Sequence, residues 1–143
     1  MIVFVDTNIF LDVLLDRKPL ADSSEQVLNI CSRSGFKMYT SAISFANITY
    51  FAAKYRPSES RALLRTLLGK VHIADTPAAV FEKALTSDLK DLEDAYQRFT
   101  AMRIRGIKYL ITRNGKDFIS DFAATSLKVV TPDEFLAITP ATS

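Results

Sequence analysis

Ile2-Val3-Phe4-Val5-Asp6-Thr7-Asn8-Ile9-Phe10-Leu11-Asp12 is the stretch on which the fold turns. Its first four residues are apolar without interruption and rich in strand formers. A strand apolar on both sides is buried on both faces, as in a parallel sheet. The run stops at Asp6, and Thr7 and Asn8 add two more polar groups. Ile9, Val13 and Leu14 then recur at helical spacing.

The same alternation continues outward. Asp22 is placed to cap a helix carrying Val27, Leu28 and Cys31, with Gly35 as its stop. Phe36–Tyr39 reads as a second strand, and Ser41 as the cap of a helix with Ile43, Ala46, Ile48, Tyr50 and Phe51. Pro57 starts a helix with Leu63, Leu64, Leu67 and Leu68 as its buried face. Val71–Ile73 is a third strand, and Pro77 opens a helix to about Leu85. Leu92, Ala95, Tyr96, Phe99 and Met102 form one apolar stripe on the next helix. Tyr109–Ile111 and Lys128–Val130 are the last strands, and Pro132 starts a short closing helix with Phe135 and Leu136. Short apolar strands alternating with helices predict an α/β fold around a central parallel sheet. With no internal repeat or linker, one domain is expected over residues 1–138, with a frayed tail at 139–143.

Composition narrows the function classes. The 143 residues are 48% hydrophobic and 24% charged, in the range of a globular domain rather than a disordered chain. With 18 basic and 16 acidic side chains, the net charge of +2 excludes a strongly basic nucleic-acid wrapper and leaves room for a local basic groove. One cysteine, Cys31, and one histidine, His72, make no internal disulfide and no Cys/His zinc site, and both read as packing residues. The apolar run before Asp6 is too short for a signal-peptide core and lacks a basic lead-in. No run approaches the ~20 apolar residues of a membrane span, so a cytoplasmic, reducing setting is expected.

The acids fall in three places. Asp6 directly follows the first strand, at the sheet edge where open α/β folds bind ligands. Asp, Thr and Asn are also good helix caps, and at this turn cap and ligand are both compatible with Asp6, Thr7 and Asn8. Asp88, Asp91, Glu93 and Asp94 crowd the start of a later helix. Asp91 and Asp94, three apart, share a side of it. A helix dipole favours acids in a first turn in any case. Thr112-Arg113-Asn114-Gly115-Lys116-Asp117-Phe118 follows the strand Tyr109–Ile111, with Asn114-Gly115 as a turn signal and Asp117 beyond it.

Three segments thus bring acids and amides to one sheet edge. Crowded carboxylates repel and their pKa values rise unless a cation is present. Oxygen donors without histidine or cysteine suit a hard divalent ion, Mg²⁺ or Mn²⁺. Such ions hold phosphates and activate water, which favours metal-assisted phosphodiester hydrolysis. Arg61 and Arg65 share a helical face, and Arg98, Arg103, Arg105, Lys108, Arg113 and Lys116 surround the later acids. Cations so placed contact phosphate or simply solvate a helix surface. Arg113 and Lys116 are the residues expected on RNA.

With these residues identified, the chain resembles a PIN domain of the VapC-type toxin class over nearly its whole length. IVFVDTNIFLD is similar to the family's first strand and Asp-Thr-Asn turn, and SAISFANI to its second-strand exit. DLEDAYQRFTAMRIRGIKYLITRNGKDF is similar to its acidic helix, strand and Thr-Arg-Asn turn, and VVTPDEFL to the close of one subgroup. The resemblance implies a three-layer α/β/α domain with a central parallel sheet of about four or five strands. It implies an endoribonuclease dependent on Mg²⁺ or Mn²⁺, with Asp6 and Asp94 as principal metal ligands, Asp91 lining the site and Asp117 filling or supporting a late acidic position. Thr7, Asn8, Asn47, Thr112 and Asn114 would support them. It also implies an RNA substrate, pairing into a homodimer and a cognate antitoxin as protein partner.

Two positions depart from many PIN nucleases. Asn47 stands where a glutamate follows the second strand, and Asn114 where an aspartate follows the last threonine. Each change removes a formal charge, which motivates a second reading: a PIN-like RNA- or protein-binding module with weak or lost catalysis. Haloacid-dehalogenase-type phosphatases require an acid where Asn8 stands. Receiver domains carry an acidic pair where Asp6 is followed by Thr7.

Overall fold

The computed structural model describes residues 1–113 and 127–139. Five strands, β1 (Ile2–Val5), β2 (Lys37–Ser41), β3 (His72–Ala74), β4 (Ile107–Ile111) and β5 (Lys128–Val130), form one parallel sheet in the order β3-β2-β1-β4-β5. Seven helices connect and cover them among the described residues: α1 (Thr7–Leu14), α2 (Leu20–Cys31), α3 (Ala42–Tyr55), α4 (Ser60–Leu68), α5 (Ala78–Thr86), α6 (Leu92–Met102) and α7 (Pro132–Ile138).

Alternation along β1 divides the core. Val3 and Val5 face one side, packing with Ile9 and Phe10 of α1, Val27 and Ile30 of α2, Ile48 of α3 and Phe135 of α7. Phe4 faces the other, with Ala101 of α6, Leu110 and Leu127. The sheet is therefore the middle of three layers, as expected, and β1 is buried on both faces as its apolar run requires.

The strand order gives the site its place. From β1 the chain winds outward through β2 to β3, then returns to β4 on the other side of β1 and moves out to β5. The order reverses between β1 and β4, and the strand ends there form the crevice where open α/β sheets hold ligands. Phe4 pairs with Leu110 and Val5 with Ile111, so β1 and β4 end level and hand over to Asp6 and Thr112 together.

Some boundaries differ from the pattern-based expectation. α2 begins at Leu20, with Asp22 inside its first turn rather than at its cap. α4 begins at Ser60, three residues after Pro57. The expected stripe on α6 is only partly the buried face: Leu92 is 40% exposed, while Gln97, Arg98 and Thr100 are buried with Ala95 and Ala101. Hydrophobic periodicity is blind to a helix that turns polar side chains inward. Cys31 is buried, and burial pushes its thiol up to about 12, so it is inert packing. His72 stacks on Tyr39 with ring centroids 5.0 Å apart.

Candidate metal centre

Asp6 is both cap and buried acid. Its Oδ1 accepts a hydrogen bond from the Thr7 backbone N–H at 2.8 Å, closing the start of α1. Its Oδ2 accepts from the Thr112 hydroxyl at 2.8 Å, and its own N–H donates to the Ile111 carbonyl at 3.0 Å. The carboxylate is thus fixed between the ends of β1 and β4. Helix capping and site formation, alternatives in the sequence, coincide here.

A cavity of about 310 Å³ opens above it, lined by Asp6, Thr7, Asn8, Leu11, Arg17, Asn47, Phe51, Asp91, Glu93, Asp94 and Gln97. α6 delivers its acids through its first turn. Asp91 caps the helix, its Oδ1 accepting from the Asp94 N–H at 3.0 Å. Asp94 is one helical turn from Arg98, which donates to its Oδ2 from Nε at 2.9 Å and also from Nη2. The Arg98 side chain is fully buried and that of Asp94 is 11% exposed, so this pair is shielded from water.

Under the cavity lies a hydrogen-bonded cluster of small polar side chains. Gln97 Nε2 donates to Ser44 Oγ at 2.8 Å and to Thr7 Oγ1 at 3.3 Å, while Ser41 Oγ donates to Gln97 Oε1 at 2.6 Å. Ser41 also accepts from the Ser44 N–H at 2.9 Å as the cap of α3. One glutamine therefore ties α1, α3 and α6 together beneath the acids. Satisfied polar clusters of this kind fix geometry more tightly than apolar packing does.

Asn47 and Glu93 meet across the cavity. Asn47 Nδ2 donates to Glu93 Oε1 at 2.9 Å. The amide on α3 therefore holds a carboxylate from α6, and the negative charge missing at position 47 enters the cavity from Glu93.

Electrostatics follow from this crowding. Burial raises the pKa of Asp6, against hydrogen bonds from Thr112 and Thr7 and the charge of Arg98, while Asp91 adds to the rise. Glu93 is raised by burial, then by Asp6 and Asp91, with the Asn47 hydrogen bond opposing. Asp94 is raised by burial despite Arg98, with Asp6 and Asp91 contributing. All three acids are raised first by burial and further by neighbouring carboxylates.

The donor set fits a hard divalent ion. Asp6, Glu93 and Asp94 offer carboxylate oxygens, with no histidine or cysteine lining the cavity. Among the described residues, no three acidic, histidine or cysteine side chains are already gathered as a ligand group. Mg²⁺ keeps several waters and needs only one or two carboxylates, so such an open set remains suitable.

Of the expected site residues, the structure brings Asp6, Thr7, Asn8, Asn47, Asp91 and Asp94 to one cavity and Thr112 onto Asp6. Arg113 follows directly, its Nη2 3.3 Å from Asp12 Oδ1. Asn114, Lys116 and Asp117 lie outside the described residues. Glu93, Gln97, Asp12 and Arg17 carry parts of the site that pattern reading left without a role. Gln97 stands three residues after Asp94, and Asp12 interrupts the apolar run Ile9–Leu15; both were visible signals.

A family model described as PIN domain matches residues 2–116. Ribonuclease VapC1 of Aquifex aeolicus (strain VF5) is 28% identical over 138 residues, spanning 93% of this chain and 92% of that protein. A toxin-antitoxin complex from Klebsiella pneumoniae contains a chain 29% identical, with TM-score 0.65, covering 91% of this chain and 97% of the other. A chain of VapBC2 from Rickettsia felis, solved bound to a DNA fragment from its promoter, is 18% identical with TM-score 0.64, covering 92% and 98%; at that identity it attests the fold alone. No helix among the described residues is long and apolar enough to cross a membrane.

Proposed function

The chain belongs to the PIN domain family, and from that premise we propose that it is a metal-dependent endoribonuclease acting as the toxin of a toxin–antitoxin pair. The observation that carries this is the convergence of Asp6, Asp91, Glu93 and Asp94 on one cavity at the β1/β4 switch point. The names of the Aquifex ribonuclease and the Klebsiella complex support the substrate class and an antitoxin partner.

Asp6 and Asp94 would hold a divalent cation, Mg²⁺ or Mn²⁺, with Glu93 beside them and Asp117 as a further acid from the segment after Thr112. Such an ion supplies Lewis acidity toward a phosphoryl oxygen and makes water a competent nucleophile near neutral pH. Thr112 and the Thr7 N–H hold Asp6 in one orientation, and Arg98 does the same for Asp94. Glu93, whose pKa is raised by burial and by Asp6 and Asp91, is a candidate proton acceptor, and Asn47 fixes where its carboxylate points. Asp91, which lines the cavity, would orient the attacking water.

The binding-module reading rests on the loss of charge at Asn47 and Asn114. Glu93 supplies a carboxylate at the first of these positions, which favours catalysis. The test is hydrolysis of single-stranded RNA by the purified chain. Cleavage should require Mg²⁺ or Mn²⁺, stop with EDTA, and fall at least about 100-fold in Asp6→Asn and in Glu93→Gln. Salt-sensitive RNA binding without cleavage at any divalent concentration would establish the binding module instead.

A further inference from the structure

We propose that Arg17 is a phosphate-contacting residue of this site, positioned together with Arg113 by the buried carboxylate of Asp12. The inference rests on the ribonuclease reading above.

Asp12 has no exposed surface. Ser24 Oγ donates to its Oδ2 at 2.8 Å. Its Oδ1 has no hydrogen-bond partner, yet Arg113 Nη2 lies 3.3 Å away and Arg17 Nη1 3.8 Å away. A carboxylate removed from water persists where cations pair with it. Here one negative charge faces two guanidinium groups, so Asp12 alone does not neutralise both.

Of the two arginines, Arg17 lines the acid cavity, beside Asp6, Asn8 and Asn47, with its side chain 35% exposed. Arg113 follows Thr112, whose hydroxyl bonds Asp6. Local backbone sets Arg17 in place: Asp16 takes a left-handed φ of 47°, and the Arg17 N–H donates back to the Asp12 carbonyl at 2.9 Å. Although four carboxylates line the same cavity, Arg17 pairs with Asp12, which is not one of them. A planar guanidinium at the wall of an acidic cavity matches two oxygens of a phosphodiester. It would draw the RNA backbone to acids that otherwise repel it.

The test uses the full-length chain. RNA cleavage kinetics are measured for wild type, Arg17→Ala, Arg17→Lys and Asp12→Asn. Binding of labelled single-stranded RNA is measured over a salt series in the Asp6→Asn background, with and without Arg17→Ala. Arg33→Ala, an exposed change after α2, is the control. Arg17→Ala should raise KM about tenfold or more with little change in kcat. It should also lower the slope of log affinity against log salt by about one. Arg17→Lys should recover the slope, and Asp12→Asn should shift KM in the same direction. An Arg17→Ala protein with unchanged KM and unchanged slope, or one that only melts earlier, overturns the inference. If wild type cleaves no RNA, the ribonuclease reading falls, and the slope in the Asp6→Asn background judges Arg17 separately.

Discussion

Asp6 and Asp94 face each other as like charges, and their surroundings make opposite demands on them. Asp6 is buried, and that burial outweighs the hydrogen bonds from Thr112 and Thr7 and the charge of Arg98. Because its folded pKa is raised, the folded chain keeps its proton to a higher pH than the unfolded chain does. Its contribution to stability is full below the ordinary carboxylate value of about 4 and is lost as pH rises through the raised folded value. Asp6→Asn keeps an oxygen for the Thr7 N–H and lets the Thr112 hydroxyl turn to accept. The metal-free variant should therefore melt no lower than wild type at pH 7, and its melting temperature should gain less on going to pH 5.5. Asp94→Asn weakens the charge-assisted hydrogen bonds from the buried Arg98 guanidinium and should cost about 2 kcal/mol in denaturant titrations. Equal destabilisation by the two substitutions would contradict this division of roles.

At the scale of elements, β1 and β4 were legible because a strand buried on both faces is written as an uninterrupted apolar run. The acids were legible for a related reason: Asp6 and Thr112 are the first polar residues after such runs. The inner face of α6 was not. Tyr96 follows the apolar stripe but packs against Phe81 of α5, centroids 4.7 Å apart, while Gln97 and Arg98 take the buried side toward the site. Nor does a sequence reveal that Asn47 and Glu93, 46 residues apart, share a hydrogen bond. α3 depends on this polar layer through Ser41, which caps the helix and donates to Gln97. Ser41→Ala should cost about 2 kcal/mol, combining a lost cap with an orphaned buried oxygen. Thr131→Ala removes the capping box of α7, whose partner Glu134 is exposed, and should cost about 1 kcal/mol without touching catalysis. A similar small loss at both positions, with cleavage unaffected, would show that the Gln97 cluster does not hold the site.

Across the whole molecule, one topological fact organises the chemistry. The chain reverses its winding between β1 and β4, and four carboxylates line the cavity at that crevice. Near-neutral net charge conceals this, because it sums the acids with basic residues, of which Arg98 pairs with Asp94 and Arg17 and Arg113 with Asp12. Oxygen donors gathered in a sheet-edge cavity suit a hard divalent cation. The most direct test is the crystal structure of the chain soaked in Mn²⁺, read by anomalous scattering. A peak in the cavity within coordination distance of Asp6 and Asp94, absent in Asp6→Asn crystals, is the predicted result. A cavity that stays without ion density at Mn²⁺ concentrations supporting RNA cleavage would contradict the account.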